Sequence, residues 1–291
     1  MNGLSRRDVL RSSSFLSLAA FPGALDITRE FAPTLGSTGG LSRGPALDDA
    51  GGEFLEVACR GSLVPDKPES EFAKKLEELR ASRVPVRAAN SFLPGSLQCT
   101  GPEADPEPLL KYAEVVFERA ARAGIETITF GSSGARSLPE GYSQVDATRE
   151  FTAILARMAP LAAKHGVIVS LEPLRKAETN FLNRVSQALP IVREVDHPNV
   201  LITADIYHML CEDEPADSIV KAGAYIHHVH IAEKAKRTAP GVAGDDFRPY
   251  LRALAMIGYK GNISIECRWS KFEEEIAPAM AALRAQLADI H

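Results

Sequence analysis

Four acidic or imidazole side chains each stand at the end of a short apolar run in the second half of the chain. They are Glu172 (run 167–172), Asp205 (run 200–205), His230 (run 225–230) and Glu266 (run 262–266). With 38 acids and 7 histidines among 291 residues, their presence at all four ends exceeds chance expectation. Three carboxylates and one imidazole favour Mn²⁺, with Mg²⁺ or Co²⁺ as alternatives, over a thiolate-rich zinc site. The pattern predicts one divalent metal ion.

The elements that must position these groups are alternating strands and helices, which indicate βα units and a parallel sheet. The predicted strands are 54–58, 84–89, 126–130, 167–172, 200–205, 225–230 and 262–266. The predicted helices are 69–81, 106–123, 146–165, 184–195, 215–222, 246–257 and 272–287. The fold class is therefore α/β, a (β/α)₈ TIM barrel, whose parallel strands bring all their carboxyl ends to one face.

The first βα unit of this barrel is degenerate or not recognisable, because only seven units can be counted. Residues 31–35 could supply the first strand, and 46–51 could be the remnant of a first helix. Residues 26–52 are rich in Gly, Ser and Pro, which is typical of a linker. We therefore predict a signal and linker over residues 1–52 and a catalytic barrel over residues 53–291.

Strand alternation predicts a second polar layer beneath the four strand ends. Ser170, Thr203, His228 and Ser264 each lie two residues before one of the four ends, so they share its inward direction. Polar residues there suit hydrogen bonding to metal ligands. In the alternative interpretation, the acids at the strand ends only cap the helices that follow.

Composition excludes several classes of protein. A net charge of −5 gives no general affinity for nucleic acid. Four scattered cysteines form neither a C-x-x-C pair nor a disulfide framework. No apolar stretch is long enough to span a membrane.

The N-terminus resembles a twin-arginine export signal. Arg6 and Arg7 precede a mildly apolar segment over residues 15–25 that contains small residues. We expect an exported or periplasmic protein without a membrane span in its mature form. A basic N-terminal tail on a cytoplasmic protein is the alternative.

Several segments of the chain resemble the xylose-isomerase-like TIM barrel family, and within it the sugar and sugar-phosphate isomerases and epimerases of the ketose 3-epimerase type. The segments are Glu172-Pro-Leu with Glu178-Thr-Asn180, Asp205-Ile-Tyr-His208-Met209, His228-Val-His230-Ile-Ala-Glu233, Ile265-Glu266-Cys267, Ala89-Asn-Ser-Phe92 and Phe130-Gly-Ser-Ser-Gly-Ala-Arg136. The resemblance covers residues 53–291.

The resemblance implies that Glu172, Asp205, His230 and Glu266 hold one divalent metal ion. It also implies that Glu172 and Glu266 face opposite sides of a bound ketose and move protons at the carbon next to the carbonyl. A metal ion on the carbonyl and neighbouring hydroxyl oxygens would stabilise an enediolate, so a carboxylate can remove the proton. Removal on one side and return on the other is epimerisation.

Further residues are candidates for substrate contact, each with a plainer alternative. By the resemblance, His208 binds a substrate hydroxyl and Glu178 lies near the reacting carbonyl, although either could be a solvated loop residue. Arg237 matches a family arginine, but Lys236 competes for this role because the spacing is one residue longer. His228 could touch substrate or be a satisfied core histidine. Trp269 and Phe92 could pack their rings against a bound sugar, or they could simply pack within loops.

The predicted function is a metal-dependent sugar isomerase or epimerase that acts on a ketose or related polyol carbonyl. Alternatives in the same superfamily are a hydroxypyruvate-type isomerase and an inosose dehydratase. An alternative of another class is a non-catalytic carbohydrate-binding relic. The expected partner is a small sugar, with neither nucleic acid nor a membrane, and assembly into a homo-oligomer is compatible with the sequence.

Overall fold

Eight parallel strands pair in chain order and close into a barrel in the computed structural model, which describes residues 31–290. The strands are β1 (Thr34–Thr38), β2 (Phe54–Ala58), β3 (Val86–Asn90), β4 (Thr127–Phe130), β5 (Ile168–Leu171), β6 (Val200–Asp205), β7 (Ile226–Ile231) and β8 (Asn262–Ile265). Strand β1 pairs in parallel with both β2 and β8, which closes the ring. The predicted TIM barrel is therefore confirmed.

Helices surround the barrel and occupy the loops above it. They are α1 (Gly44–Asp49), α2 (Cys59–Ser62), α3 (Glu69–Arg80), α4 (Pro106–Ala123), α5 (Ser133–Arg136), α6 (Gln144–Lys164), α7 (Val185–Val195), α8 (Ile206–Cys211), α9 (Asp217–Ala222), α10 (Arg248–Met256) and α11 (Phe272–Ala288). Short 3₁₀ turns cover Leu41–Arg43 and Gly223–Tyr225.

Helix α4 shows how local sequence sets these boundaries. Asp105 caps its start, where the side chain accepts a hydrogen bond from the Glu107 backbone N–H, and Pro106 occupies the first turn. The helix ends at Gly124, whose φ of 78° is the left-handed conformation that glycine adopts at low cost. The chain then turns directly into β4.

Strand β1 and helix α1 lie inside the stretch that we predicted to be a linker, so the barrel begins near Thr34 rather than at residue 53. The sequence TLGST lacks an apolar run, because its buried positions include Gly36 and Ser37. Ser37 is held in the barrel by a hydrogen bond from its hydroxyl to the Ile265 carbonyl at 3.1 Å. A strand with so little apolar side chain gives no periodic signal.

Gly36 gives a direct test of this strand. A Cβ at this position would lie 2.4 Å from the Phe54 carbonyl oxygen and 2.5 Å from the Phe54 ring. We expect Gly36→Ala to lower the free energy of unfolding by about 1–3 kcal/mol, the usual range for overpacking a core. Urea denaturation measures this, and Gly61→Ala is the control because its Cβ would meet nothing within 4 Å in the described part of the chain. Equal stability of Gly36→Ala and the wild type would contradict the close approach of β1 to β2.

Across residues 31–290, no helix combines the length and apolar character needed to cross a membrane. The twin-arginine-like segment lies outside the described residues, so export stays a prediction.

Candidate metal and proton-transfer site

The four residues predicted at the strand ends meet at the carboxyl end of the barrel. Asp205 closes β6 and His230 lies in β7, while Glu172 and Glu266 directly follow β5 and β8. One ligand atom from each of the four lies within 4.8 Å of the others. Glu172, Asp205 and His230 are buried, and the Glu266 side chain keeps 21% of its surface exposed. The site is therefore buried, with one edge open to solvent.

The His230 ring nitrogen Nδ1 lies at the centre of the carboxylates. It is 2.6 Å from Glu172 Oε1, 3.2 Å from Glu266 Oε2 and 3.9 Å from Asp205 Oδ2. One N–H can donate a good hydrogen bond to only one of these oxygens. The remaining carboxylate charge favours a cation at this point.

The pKa values of the cluster reflect this crowding. Burial raises the pKa of Glu172, the contact with His230 opposes this rise, and the carboxylates of Glu266 and Asp205 add to it. For His230, burial acts to lower the pKa, but the nearby carboxylates of Glu56, Glu266 and Glu172 raise it well above its usual value. The site thus stabilises positive charge at His230 and disfavours further negative charge at Glu172.

Glu266 is held from two sides. The Asn90 side-chain amide, at the end of β3, donates to Glu266 Oε1 at 2.8 Å. The Arg237 guanidinium donates a short hydrogen bond to Glu266 Oε2, and its Nη2 lies 3.4 Å from Asp205 Oδ2. Arg237 also stacks over the Tyr207 ring at 4.6 Å. Asn90 and Arg237 therefore fix the carboxylate that faces the opening.

The predicted polar layer lies directly beneath the cluster. Ser170, Thr203, His228 and Ser264 are all buried. The Thr203 hydroxyl donates to the Ser170 hydroxyl at 2.7 Å. The structure therefore confirms the alternation that we predicted for these strands.

Glu56 is a buried residue of the site that we did not predict. It lies in β2, and its Oε2 is 2.9 Å from both His230 Nε2 and His228 Nε2. The Thr129 hydroxyl donates to Glu56 Oε1 at 3.0 Å. Burial acts to raise the pKa of Glu56, but the two imidazoles lower it well below its usual range. With Nε2–H of His230 bonded to Glu56, Nδ1 is the nitrogen that faces the cluster.

Glu56, His228 and His230 are also close enough to form a three-ligand group of their own. Their mutual hydrogen bonds, together with that of Thr129, already use the facing atoms. We therefore assign Glu56 to orienting His230.

We expect Glu56→Gln to weaken Mn²⁺ binding by roughly 10- to 100-fold, the usual cost of losing a partner of a ligating histidine. The neutral amide places an N–H₂ group against the imidazoles and no longer fixes the His230 tautomer. Isothermal titration calorimetry with Mn²⁺ measures the affinity. Glu214→Gln is the matched control, since Glu214 is a buried glutamate that caps α7 through the Val185 and Ser186 N–H groups. If Glu56→Gln binds Mn²⁺ as tightly as the wild type, Glu56 does not orient His230.

The donor set fits a divalent ion such as Mn²⁺ or Mg²⁺. Three carboxylates and one imidazole suit these cations. The backbone leaves room for Glu172, because a Cβ on Gly131 would lie 2.2 Å from Glu172 Oε2. Glycine at this position therefore keeps space for the carboxylate.

A cavity of about 340 Å³ opens above the cluster, lined by Glu172, Glu266 and three of the predicted substrate contacts, Glu178, His208 and Arg237. The Glu178 carboxylate accepts from Arg175 Nε at 2.8 Å and lies 3.9 Å from Arg237 Nη1. Within the described residues His208 Nε2 makes no hydrogen bond, and it lies 3.4 Å from Asp205 Oδ2. The structure thus brings these three residues to the cluster.

The structure decides between two pairs of alternatives that the sequence left open. Lys236 is exposed while Arg237 contacts Asp205 and Glu266, so Arg237 holds the position for which the two competed. Asp205 does cap a helix, since its Oδ1 accepts from the His208 N–H at 3.2 Å, yet its Oδ2 faces the cluster. Asp205 therefore both caps helix α8 and contributes a carboxylate oxygen to the cluster.

The two aromatic candidates pack against other rings. Phe92 is fully buried, stacked on Phe117 at 5.6 Å and edge-on to Phe130 at 5.3 Å. It belongs to the core, so its prediction as a sugar-walling residue is not supported. Trp269 packs edge to face on Phe272 at 4.9 Å. The Trp269 contact agrees with loop packing.

Comparison with known proteins adds the family. The model of the xylose isomerase-like TIM barrel family matches residues 45–286. The chain belongs to this family. Its match begins before β2, in agreement with an early start of the barrel.

Two relatives in the xylose isomerase-like family share part of the sequence. An L-ribulose 3-epimerase from Methylomonas sp. is 36% identical over 115 residues, which is 39% of this chain and 40% of that protein. A ketose 3-epimerase from Arthrobacter globiformis is 37% identical over 115 residues, 39% of each chain. The aligned region is thus less than half the length of these relatives.

A solved structure of D-psicose 3-epimerase with D-tagatose, from Clostridium cellulolyticum H10, has a TM-score of 0.76. It is 19% identical and covers 89% of this chain and 99% of that one. At this identity it shows the shared barrel fold alone.

Proposed function

We propose that the protein is a divalent-metal-dependent sugar isomerase or epimerase that moves a proton at the carbon next to a ketose carbonyl. The observation that carries this proposal is the convergence of Glu172, Asp205, His230 and Glu266 within 4.8 Å at the carboxyl end of the barrel. Membership of the xylose isomerase-like family supports it. The named activities of the two partial relatives, both 3-epimerases of ketoses, point to the same chemistry.

In this proposal the four side chains hold one divalent ion, and Mn²⁺ suits three oxygens and one nitrogen best. The ion would polarise the carbonyl and the neighbouring hydroxyl of the sugar, which makes the C–H bond between them more acidic.

Glu172 and Glu266 are the proton carriers in this proposal. They follow strands β5 and β8, which stand three positions apart in the ring of eight, and they reach the same cavity from different directions. One carboxylate removes the proton from one face of the sugar, and the other delivers a proton to the opposite face, which inverts that carbon. Arg237 and Asn90 hold the Glu266 carboxylate in place for this step.

His208 and Glu178 are proposed to orient the substrate. His208 Nδ1 accepts from the Arg175 N–H at 3.2 Å, so Nε2 carries the ring proton and can donate to a sugar hydroxyl. Glu178, kept near the cavity by Arg175, can accept from another.

The experiment is a chelation and reconstitution assay with product analysis. Protein dialysed against EDTA and then reloaded with Mn²⁺, Mg²⁺ or Co²⁺ is incubated with a panel of ketoses, and epimers are separated by chromatography. We expect epimer formation only in the reloaded samples. A metal-dependent aldose–ketose interconversion without inversion would instead favour the hydroxypyruvate-type isomerase, and loss of water would favour the dehydratase. Failure to bind any divalent ion would favour the non-catalytic relic.

A further inference from the structure

A second cavity opens beside the metal cluster on the β1–β3 side of the barrel. We call it the side cavity and define it by Thr38, Gly40, Gly61, Ser62 and Asn90, which line it. Its volume is about 500 Å³, larger than the 340 Å³ above the cluster. Both volumes lie in the range of about 300–1,000 Å³ that is typical of small-molecule sites.

The side cavity adjoins the proton-transfer site. Asn90 lines both cavities, and its amide donates to Glu266 Oε1 at 2.8 Å. Helix α2 contributes to the walls of both cavities, since Arg60 lines the cavity above the cluster while Gly61 and Ser62 line the side cavity. Asn90 and α2 thus form a shared boundary, which places the side cavity next to the Glu266 carboxylate.

Two glycines in its wall are not required by the backbone. Gly40 has a φ of −77°, which any residue adopts, and among the residues that the structure describes a Cβ there would meet only the Ser42 hydroxyl, at 3.9 Å. Gly61 lies in α2 without a positive φ, and its Cβ would meet no atom of residues 31–290 within 4 Å. Glycine is unfavourable in a helix relative to alanine. Close approach of a ligand to the backbone is a physical reason for glycine at such positions.

The chemistry of the side cavity favours a neutral, hydroxyl-rich group. Thr38 and Ser62 offer hydroxyls, Asn90 an amide, and Glu56 and Glu78 carboxylates, of which Glu56 is hydrogen-bonded to His228 and His230. These groups can bind hydroxyls, and the carboxylates disfavour an anion. Among the lining residues that the structure describes, Lys75 is the one cation, and its ammonium is paired with Glu78 at 2.7 Å. A phosphate would need several donors with unpaired positive charge, which this lining does not offer.

We propose that the side cavity binds a glycosyl or similar polyol substituent, so that the substrate is a keto sugar extended by a second sugar unit rather than a free monosaccharide. This inference rests on the proposed function and specifies the substrate class of the same site.

The test compares free and extended ketoses in Gly61 variants. Mn²⁺-loaded protein in D₂O is given D-fructose or D-tagatose, and in parallel lactulose, isomaltulose and a 3-keto disaccharide. Exchange of the C–H next to the carbonyl is followed by NMR. We expect the wild type to have a higher kcat/KM for at least one extended ketose than for the free ketoses. Gly61→Phe should lower that kcat/KM by roughly tenfold or more, equivalent to about 1.4 kcal/mol, and leave exchange of free ketoses unchanged.

Gly61→Ala is the matched control, because a methyl group leaves the side cavity open. Gly40→Phe fills the side cavity from another wall, so the inference can still be tested if one of the two variants does not fold. Binding of the inert alcohols lactitol and sorbitol by calorimetry gives a readout without turnover, in which wild-type protein should prefer lactitol and Gly61→Phe should lose that preference.

If the wild type has the same kcat/KM for free and extended ketoses, or if Gly61→Phe lowers both values equally, the inference is overturned. The proposed function stands in either case. Absence of exchange with every sugar would instead refute the proposed function. The calorimetric preference for lactitol then still decides whether the side cavity binds a second sugar unit.

Discussion

Glu172→Gln is expected to lower the rate of C–H exchange in a ketose substrate by about 10²- to 10⁴-fold, the range for loss of a general acid–base group. Glu172 follows β5 directly, is buried, and has an oxygen 2.6 Å from His230 Nδ1. The amide keeps the shape of the side chain but cannot carry a proton at neutral pH, and it removes one negative charge from the cation site.

The measurement is NMR-detected exchange in D₂O at saturating Mn²⁺, with bound metal determined in the same sample. This separates loss of the proton carrier from loss of the ion. Glu140→Gln makes the same chemical change at an exposed position and should leave exchange unaltered. If Glu172→Gln binds Mn²⁺ and still exchanges the C–H at the wild-type rate, Glu172 carries no proton.

Gly131→Ala is expected to have the next largest effect, a fall in exchange of about 10²-fold, which is what a misplacement near 1 Å can cost. The new Cβ would lie 2.2 Å from Glu172 Oε2 and 3.4 Å from the carboxyl carbon, so the carboxylate must move. Gly131 has no positive φ, so backbone strain does not enter.

Gly134→Ala is the control for Gly131→Ala within the same loop. Its Cβ would be 3.4 Å from the Gly95 Cα, which needs at most a small adjustment. We expect Mn²⁺ affinity measured by calorimetry to fall in Gly131→Ala and to be retained in Gly134→Ala. Equal affinities in the two variants would mean that Glu172 tolerates the displacement.

Much of the barrel could be predicted because seven strands are short, mostly apolar runs separated by helical segments. The four residues at the strand ends were found for the same reason, since parallel strands place their carboxyl ends together. A first strand could be suggested only near residues 31–35, which overlaps β1 at Thr34 and Leu35, because TLGST has glycine and hydroxyl side chains in place of an apolar run.

Glu56 escaped because it lies inside a predicted strand rather than at an end. Alternation does place it on the same face as Phe54 and Ala58, so an acid at an inward position was a usable signal. Phe92 was wrongly assigned to the sugar site because it stands just after the end of a strand. It follows β3 at the correct face, but the loop turns its ring down onto Phe117 and Phe130.

The choice between Lys236 and Arg237 depended on loop geometry that spacing does not encode. Both residues have positive φ, of 57° and 56°, which redirects the chain at this point. Glu233 holds the loop in this form by accepting from the Gly241 and Gly244 N–H groups at 2.8 and 2.9 Å. These contacts lie 8 and 11 residues apart along the chain, and the spacing between sequence motifs does not reveal them.

The most direct measurement is solvent deuterium incorporation by the Mn²⁺-loaded wild type. We predict that, for at least one ketose of the panel, deuterium enters at a single carbon next to the carbonyl, in both the substrate and its epimer, and that EDTA abolishes the signal. Stoichiometric binding of Mn²⁺ without deuterium in any ketose would contradict proton transfer by Glu172 and Glu266.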